Sequence, residues 1–304
     1  MKRILITGEN SYIGTNVERY LQQYNAQEGR ECYRIDTISQ KDVGWENYDF
    51  APYDIVFDVT GIAHADIGKV DEETKKLYYR VNCDLAVQTA KKAKEEGVKQ
   101  FIYMSSIIVY GDSAPLGQRK RITPQTQPAP ANFYGDSKWQ AEQQLTPLAT
   151  DEFQVAILRP PFIYGKGSKG NYPLLAKIAG KTPIFPKVEN ERSMLYIENL
   201  CEFLRLLMES GQGGLYFPQN AMYSNTSDMV KYIAESRGRK LHLWTVLNPL
   251  VKLAGKCPGK IGRLVNKAFG SLSYERSMSE AFEGYQRYDL RESIERIEAD
   301  RCDT

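Results

Sequence analysis

Tyr134 and Lys138 are four residues apart, and Ser105 and Ser106 follow an apolar run upstream of them. On a helix this spacing puts the two side chains on one face, about one turn apart. A lysine ammonium beside a phenol favours the phenolate and lowers the tyrosine pKa, and a serine hydroxyl can hold a substrate oxygen. These groups make a proton relay for an alcohol–ketone couple, the chemistry that accompanies hydride transfer with a nicotinamide cofactor. A tyrosine and a lysine four apart occur by chance in many helices, so the interpretation depends on what surrounds them.

The N-terminus has a glycine-rich turn between a predicted strand at 3–7 and a predicted helix at 12–21. Gly8 and Gly14 frame the turn, and Ser11 stands where a middle glycine is expected. Such a turn lets phosphates approach backbone N–H groups at a helix N-terminus, and the serine hydroxyl could also bond a phosphate. A turn that serves only tight packing is the alternative. In this strand–turn–helix context we predict a dinucleotide site.

An acidic ribose partner is predicted at Asp36, which ends the segment Glu31-Cys32-Tyr33-Arg34-Ile35-Asp36 after a polar stretch, 25–30, that we interpret as a long turn. A carboxylate at this strand end would accept hydrogen bonds from both ribose hydroxyls and repel a 2′-phosphate, which favours NAD. A solvated strand-end carboxylate is the alternative. Arg34 is close enough in sequence to leave NADP open.

Predicted strands and helices alternate along the chain. The other predicted strands of the first half are 54–59, 99–104 and 153–158, and its other helices are 72–96 and 133–148. This order predicts an α/β fold, a Rossmann-type doubly wound parallel sheet with its site at the strand C-termini. We predict an NAD-binding domain over 1–160, to which 193–217 returns as short strands, and a smaller C-terminal substrate-binding lobe formed by 161–192 and 218–304.

Composition narrows the function classes. The chain has 304 residues and a net charge of +2, so bulk electrostatics suggest no nucleic-acid partner. Its five scattered cysteines are Cys32, Cys83, Cys201, Cys257 and Cys302. They fit free thiols in a reducing, cytoplasmic compartment. Only two histidines occur, His64 and His242, which argues against a histidine-based metal site or a Ser-His-Asp triad. We expect no signal peptide before the first strand and no transmembrane segment.

The stretch between Ser236 and Tyr274 has eight basic residues and no acidic one. It can be interpreted as a solvated helical face, as a funnel for a diphosphate substrate, or as a weak contact with an anionic membrane surface. Pro249 and Pro258 argue against one continuous amphipathic anchor. We favour the solvated face first and the substrate funnel second.

Several motifs recur in a fixed order. They are Thr7-Gly8 to Gly14, Asn82, Met104-Ser105-Ser106-Ile107-Ile108-Val109-Tyr110-Gly111, Tyr134-Gly135-Asp136-Ser137-Lys138 and Leu158-Arg159-Pro160-Pro161-Phe162-Ile163-Tyr164-Gly165. The set resembles an extended short-chain dehydrogenase/reductase of the NAD-dependent epimerase/dehydratase family, and the resemblance covers nearly the whole chain. The motifs are specific for the family but not for its substrate.

The resemblance implies catalytic roles for three residues. Tyr134 matches the catalytic acid/base, and Lys138 matches the lysine that holds the nicotinamide ribose and tunes the tyrosine. Ser106 matches the serine that holds the substrate oxygen, with Ser105 as a less favoured stand-in near the cofactor.

The resemblance also implies a set of cofactor contacts. The pyrophosphate turn is matched by Gly8, Ser11, Tyr12, Ile13 and Gly14. Thr60 and Gly61 match the strand end that passes beneath the cofactor. Asn82 matches a helix position close to the cofactor and the sheet, and a structural hydrogen bond in the core is its alternative.

Downstream motifs resemble the nucleotide-sugar branch of the family, whose members act on UDP-sugars and are often homodimers. There Asn171 would touch the sugar diphosphate, and Arg192 would pair with a phosphate oxygen. An exposed arginine before a short strand is the alternative for Arg192. Further segments resemble bacterial capsule and O-antigen enzymes acting at C4 of UDP-hexoses, which implies surface polysaccharide biosynthesis.

The residues after the serine pair separate the reactions of this family. Dehydratases have acidic residues there, whereas this chain has Ile107 and Ile108, which cannot move a proton. Two reactions remain: epimerisation at C4 of a UDP-hexose with NAD, and NAD(P)H-dependent reduction of a 4-keto-6-deoxy UDP-sugar. A non-catalytic dinucleotide sensor is a third hypothesis, although such relatives usually lose the tyrosine or the lysine and this chain keeps both.

Overall fold

The computed structural model describes residues 1–63 and 70–299, so His64 and Cys302 of the sequence analysis lie outside the described residues. The chain divides into two compact units. The first contains the described parts of 1–111, 127–160 and 201–218. The second contains those of 112–126, 161–200 and 219–304.

Twelve strands occur in the described residues. They are β1 (Lys2–Thr7), β2 (Tyr33–Ile38), β3 (Ile55–Asp58), β4 (Gln100–Met104), β5 (Arg121–Ile122), β6 (Gln154–Leu158), β7 (Phe162–Tyr164), β8 (Ile184–Pro186), β9 (Met194–Tyr196), β10 (Gly214–Tyr216), β11 (His242–Trp244) and β12 (Ser273–Tyr274). Six of them form the sheet of the first unit, in the order β10-β6-β4-β3-β1-β2 and with every pair parallel. Strand β2 is added to the sheet on one side of β1, whereas β3, β4 and β6 are added on the other side. Thr7 and Asp58, at the ends of β1 and β3, therefore mark the switch point at which α/β sheets bind ligands.

Ten α-helices occur in the same residues. They are α1 (Tyr12–Glu28), α2 (Glu72–Tyr79), α3 (Leu85–Glu95), α4 (Phe133–Leu145), α5 (Tyr172–Ala179), α6 (Ile197–Ser210), α7 (Thr226–Ser236), α8 (Asn248–Lys256), α9 (Lys260–Phe269) and α10 (Leu290–Ala299). Among residues 1–63 and 70–299, none of the helices combines the length and the apolar character needed to cross a bilayer.

Both faces of the sheet are covered by helices. Leu5, Val56 and Phe101 face one side and pack in a buried cluster with apolar residues of α3 and α4. Gln100 points to the other side, where its amide donates to the carbonyl of Leu207 in α6. Helices on both faces of a parallel sheet bury its inner strands, here β1, β3, β4 and β6, which explains the continuous apolar runs in the sequence. The predicted α/β class with a Rossmann-type doubly wound sheet is confirmed.

The first helix is longer than the sequence suggested. We expected a turn over 25–30, but α1 continues to Glu28 and ends at Gly29, whose φ of 64° makes it a left-handed cap. Asn25 lies inside the helix, and its side-chain carbonyl accepts hydrogen bonds from the backbone N–H groups of Cys32 and Tyr33, both at 2.9 Å. The polar residues therefore extend the helix and fasten its end to β2.

The predicted helix over 72–96 has an irregular centre. Helices α2 and α3 are joined by a π-helical turn at Arg80–Asp84, which contains the buried residues Asn82 and Cys83. A π-turn inserts one extra residue into the helical register, and such insertions are frequent at functional sites. Here the insertion carries Asn82, one of the predicted cofactor-site residues.

The second unit contains three parallel strand pairs, β5 with β12, β7 with β9, and β8 with β11. We expected the segment 193–217 to return to the main sheet. Only Gly214–Tyr216 does so, beside β6, whereas Met194–Tyr196 pairs with Phe162–Tyr164 in the second unit. The prediction was wrong for 193–200, because a three-residue apolar strand carries no local signal of its partner.

A buried ion pair joins β6 to α4 in the first unit. The guanidinium of Arg159 donates through Nε to both carboxylate oxygens of Glu142, at 3.1 and 3.0 Å, and through Nη1 to the hydroxyl of Tyr110 at 2.5 Å. The two side chains are only 5% and 3% exposed. The hydroxyl of Ser105 donates to the same carboxylate. Each charge is thus compensated by its partner and by neutral donors.

Replacing Glu142 with alanine should leave the Arg159 charge buried without its partner. We expect the free energy of unfolding to fall by about 3–5 kcal/mol, the range for breaking a buried pair from one side. Urea unfolding followed by circular dichroism measures the change. The matched control is Glu72→Ala, which breaks the exposed pair with Lys75 and should cost less than about 1 kcal/mol. Equal effects of the two substitutions would contradict the prediction.

Candidate active site

Helix α4 positions the predicted proton relay. It begins after Asn132, whose side-chain carbonyl accepts a hydrogen bond from the backbone N–H of Gly135. Tyr134 and Lys138 follow one turn apart. Lys138 is 5% exposed; its Nζ donates to the carbonyl of Met104 at 2.8 Å and lies 4.6 Å from the centre of the Tyr103 ring. The lysine therefore reaches from α4 to the end of β4.

The turn that follows β4 brings the second serine to the tyrosine. The Ser106 side chain lies close to the phenol of Tyr134, whose pKa it lowers, and its hydroxyl accepts a hydrogen bond from the backbone N–H of Ile108. A Cβ on Gly135 would lie 2.7 Å from the carbonyl oxygen of Ile108, so only glycine allows α4 to approach the turn this closely. This close contact sets the separation between Ser106 and Tyr134.

Ser105 is engaged elsewhere. Its hydroxyl donates to the Glu142 carboxylate in the buried ion-pair network, and the residue is 5% exposed. Consecutive residues of an extended chain point in opposite directions, so only one of two adjacent serines can face Tyr134. The structure brings Ser106 to the tyrosine, and Ser105 is a structural residue of this network.

The electrostatics of the relay differ from the expectation. Burial raises the pKa of Tyr134 to about 12, and the Ser106 side chain opposes the rise. Burial also lowers the pKa of Lys138 to about 8, against the attraction of Asp58 and Glu142. The expectation that the lysine lowers the tyrosine pKa was wrong for this structure, because desolvation disfavours the charged form of each group.

The glycine-rich turn packs directly on the end of β3. Gly8 has a φ of 91°, and a Cβ there would lie 3.0 Å from the backbone nitrogen of Thr60. Ser11 caps α1, since its hydroxyl accepts a hydrogen bond from the backbone N–H of Gly14. Tyr12 and Ile13 follow in the first turn, at the positively polarised end of the helix. The serine thus replaces the middle glycine by acting as a helix cap.

Asp36 is not at the end of its strand. β2 continues to Ile38, whose carbonyl accepts hydrogen bonds from the backbone N–H groups of Gly8 and Glu9 at 3.0 and 3.1 Å. Asp36 is level with Leu5 and accepts a hydrogen bond from the Tyr53 hydroxyl at 3.0 Å. The predicted strand end was therefore wrong by two residues, and the role of Asp36 toward a ribose stays a prediction.

Thr60, Gly61 and Asn82 meet above the lysine. A Cβ on Gly61 would lie 3.2 Å from both Asn82 Oδ1 and Lys138 Nζ, so a side chain there would crowd both groups. The Asn82 carboxamide accepts a hydrogen bond from the backbone N–H of Ile62 and donates to the carbonyl of the same residue. It also donates to the Ser137 hydroxyl. Asn82 therefore has the structural hydrogen bonds that we considered as its alternative role.

Two residues of this region were missed by the sequence analysis. Asp58 is 1% exposed, and its Oδ1 accepts hydrogen bonds from the Thr7 hydroxyl at 2.6 Å and the Thr60 N–H at 3.2 Å. Burial raises its pKa. Gln40 accepts a hydrogen bond from the Thr60 hydroxyl at 2.6 Å. A carboxylate ending an apolar strand was a visible signal for Asp58, whereas nothing local marked Gln40.

The predicted substrate residues lie in the second unit and line one pocket. Arg192 donates through Nη1 to the carbonyl of Lys267 at 2.7 Å, at the end of α9, and burial lowers its pKa. Asn171 precedes α5. The rest of the pocket wall is mainly apolar and consists of Phe162, Leu174, Leu175, Met194, Thr226, Met229, Leu264, Lys267 and Ala268. The exposed-arginine alternative does not describe Arg192, which has five donors and can reach a further anion beside the helix end.

Metal-ligating side chains do not cluster in the described part of the chain: no group of three or more His, Cys, Asp or Glu residues is arranged to hold an ion there. Cys32, Cys83, Cys201 and Cys257 form no disulfide bonds.

The sequence matches the model of the NAD-dependent epimerase/dehydratase family over residues 4–217. It is 28% identical over 303 residues to a UDP-glucose 4-epimerase of Vibrio cholerae, which covers 94% of this chain and 90% of that protein. It is 27% identical over 281 residues to an N-acetyl-alpha-D-glucosaminyl-diphospho-ditrans,octacis-undecaprenol 4-epimerase of Escherichia coli O157:H7, covering 88% of this chain and 82% of that protein.

Solved structures share the fold. A dTDP-4-dehydrorhamnose reductase of Clostridium acetobutylicum superposes with a TM-score of 0.71 at 15% identity, covering 99% of this chain and 100% of that one. A UDP-glucuronic acid 4-epimerase of Bacillus cereus in complex with NAD has a TM-score of 0.69 at 15% identity, covering 98% and 96%. The family uses NAD or NADP as its cofactor. The match over two thirds of the sequence shows that the chain belongs to the NAD-dependent epimerase/dehydratase family.

Proposed function

We propose that the protein is an NAD-dependent epimerase that inverts C4 of a UDP-hexose in surface polysaccharide biosynthesis. The observation that carries the proposal is the proximity of Ser106, Tyr134 and Lys138 at the carboxyl end of β4. The relatives from V. cholerae and E. coli described above are both named as 4-epimerases, which supports C4 of the sugar as the position of the reaction. The homodimer and the cytoplasmic location stay predictions.

Two glycines of the first unit support a dinucleotide site there. A Cβ on Gly8 would lie 3.0 Å from the backbone nitrogen of Thr60, and a Cβ on Gly61 would lie 3.2 Å from Lys138 Nζ, so neither position has room for a side chain. The glycine-rich turn before α1 therefore packs closely on the end of β3, which is the arrangement that a pyrophosphate-binding turn requires. Gly8, Ser11, Tyr12, Ile13 and Gly14 would hold the pyrophosphate, and Thr60 and Gly61 would support the rest of the cofactor. When bound, NAD supplies a reversible hydride acceptor for C4.

The chain's own residues handle the proton. Ser106 holds the C4 oxygen by a hydrogen bond, and Tyr134 takes its proton as the alcohol becomes a ketone and returns it afterwards. Because burial holds the Tyr134 pKa at about 12, a positive charge on Lys138 is needed to make the phenolate accessible. In the second unit, Arg192 and Asn171 would bind the sugar diphosphate.

Two other substrates are supported by particular observations. The reductases among the structural neighbours share the fold, and the same relay would serve reduction of a 4-keto-6-deoxy UDP-sugar. The apolar wall of the pocket around Asn171 and Arg192 favours, as a second candidate for the epimerase, a sugar diphosphate that carries a lipid, the substrate named for the E. coli relative.

Tyr134→Phe removes the proton carrier and keeps the ring that packs on Tyr78. We expect kcat to fall on the order of a hundredfold or more, with cofactor binding little changed, because general acid–base catalysis contributes at least that much. Steady-state kinetics and NAD titration measure both effects. Tyr79→Phe is the matched control, since Tyr79 donates to Asp136 outside the relay. Near wild-type turnover in Tyr134→Phe would remove this residue from the mechanism.

Asp36 should favour NAD over NADP, because a 2′-phosphate near its carboxylate would be repelled. We expect Asp36→Ala to narrow the ratio of the two dissociation constants, measured by fluorescence titration. Tyr53→Phe breaks the same hydrogen bond without removing the carboxylate and should keep the ratio. If both variants change the ratio equally, Asp36 acts only through Tyr53; if the wild type prefers NADP, the assignment of Asp36 to the ribose fails.

Product analysis separates the epimerase from the reductase. UDP-glucose, UDP-galactose and their 2-acetamido counterparts are supplied with catalytic NAD, and a 4-keto-6-deoxy UDP-sugar is supplied with stoichiometric NADH or NADPH. We expect interconversion of C4 epimers without net change in nicotinamide absorbance. Consumption of reduced cofactor with the keto sugar alone would instead establish the reductase. No turnover with either set, despite bound cofactor, would favour the non-catalytic sensor; a further arm with N-acetylglucosaminyl-diphospho-undecaprenol tests the lipid-linked substrate.

A further inference from the structure

Helices α8 and α9 of the second unit, with the residues just before α8, carry a group of exposed apolar side chains. Val246 before α8, Leu250 and Leu253 on α8, and Ile261 on α9 are 70%, 64%, 65% and 62% exposed, and Leu264 follows at 53%. We call these residues, with the exposed Trp244, the α8–α9 patch. Of the large apolar side chains with such exposure in the described residues, about half belong to this short segment. Exposed apolar side chains concentrated in one place indicate an interaction surface.

The two helices form a fixed pair. The Asn266 amide on α9 donates to the carbonyl of Gly255 on α8 at 3.0 Å, and its carbonyl oxygen accepts a hydrogen bond from the backbone N–H of Leu116 at 2.9 Å. On α9, Gly262 and Phe269 are buried and fall on a different face from Ile261 and Leu264. One face of the pair therefore packs on the unit, and the apolar patch faces outward.

Basic side chains flank the patch on both helices. Lys252 and Lys256 on α8, and Arg263 and Lys267 on α9, are exposed and spaced four apart, so each pair forms a row beside the apolar stripe of its helix. From 237 to 273 the sequence has eight basic residues and no acidic one. An apolar stripe bordered by Lys and Arg is the arrangement of helices that lie in the interface of an anionic bilayer.

We propose that the α8–α9 patch docks the protein on the surface of a membrane containing anionic phospholipids. The apolar side chains enter the boundary between headgroups and acyl chains, and the flanking cations pair with lipid phosphates. Helices of nine and ten residues are too short to cross the hydrocarbon core and can only lie along it. A second copy of the chain is disfavoured as the occupant, because a symmetric contact would bring the two basic rows together.

The patch adjoins the pocket of Asn171 and Arg192, since Leu264 belongs to both and Lys267, one of the flanking cations, also lines the pocket. Docking would thus hold that pocket near the headgroups. The proposal does not depend on the proposed epimerase activity, because it concerns only the outer face of α8 and α9, and its test measures binding to lipid without turnover.

Flotation with lipid vesicles tests the proposal. We expect the purified full chain to float with vesicles of phosphatidylglycerol and phosphatidylcholine in equal parts, and much less with pure phosphatidylcholine or at high salt. Leu250→Glu with Leu253→Glu should reduce the bound fraction on the order of tenfold. Val43→Glu with Met222→Glu is the matched control, since both are exposed apolar residues outside the patch, and it should bind like the wild type.

The charged rows have their own pair of variants. Lys252→Glu with Lys256→Glu should weaken binding to the anionic vesicles, whereas Lys41→Glu with Lys91→Glu, exposed lysines of the first unit, should not. Thermal unfolding checks that every variant is folded.

A measurement on the unmodified chain keeps the test decisive if a patch variant does not fold. Of the three tryptophans, Trp244 lies in the patch and is 47% exposed, whereas Trp45 is buried. Vesicles should shift the emission to shorter wavelength, and brominated phosphatidylglycerol should quench it, with both effects lost in Trp244→Phe. The proposal is overturned by equal binding to neutral and anionic vesicles, by loss of binding in the control variants, or by self-association through the patch without lipid binding.

Discussion

Burying the ammonium group of Lys138 costs free energy, and much of the polar interior of the first unit compensates that cost. The Lys138 ammonium group donates to the carbonyl of Met104 and lies over the ring of Tyr103, both on β4, and the buried Asp58 on β3 attracts it. Each of these groups is fixed in turn, Asp58 by the Thr7 hydroxyl and Tyr103 by donating to the carbonyl of Asn82. Residues at the ends of three neighbouring strands, β1, β3 and β4, thus stabilise the single lysine that α4 contributes.

The same burial moves the two titrating groups of the relay in opposite directions. The pKa of Lys138 falls to about 8 and that of Tyr134 rises to about 12, so desolvation favours the neutral form of both. A neutral phenol is a proton donor, the role that a ketone requires, and it becomes a base only when the positive charge beside it is reinforced. Reversible chemistry in both directions therefore depends on the protonation of the lysine more than on the tyrosine itself.

Patterns local in sequence predicted most of this arrangement. Apolar runs indicated the strands, the four-residue spacing placed Tyr134 and Lys138 on one face of α4, and the glycines marked the turn before α1. What failed depended on partners distant in sequence. β2 continues past Asp36 because Gly8 and Glu9 donate to Ile38.

Burial was the other property that local patterns did not reveal. Residue spacing alone did not choose between Ser105 and Ser106, and Ser106 was favoured only through the family resemblance. In the structure Ser105 is engaged by Glu142, 37 residues downstream. It also gave no warning that desolvation would outweigh the attraction expected between Lys138 and the phenol of Tyr134. Burial is a property of the assembled sheet and its helices. A pKa argument from residue spacing alone therefore predicts the direction in which the neighbouring charge shifts the pKa, but it omits desolvation, which is the larger contribution.

The basic stretch after Ser236 shows the limit of a charge count. The sequence supported a solvated face as well as an interface, and Pro249 and Pro258 were evidence against an amphipathic anchor. In the structure Pro249 lies in the first turn of α8, where its missing N–H costs nothing, and Pro258 lies between α8 and α9. The prolines begin and separate two short helices, and Asn266 then fastens the pair side by side. The exposed apolar side chains of the two helices thereby belong to one helix pair with exposed basic residues beside them, and this is the arrangement on which the proposed membrane docking rests.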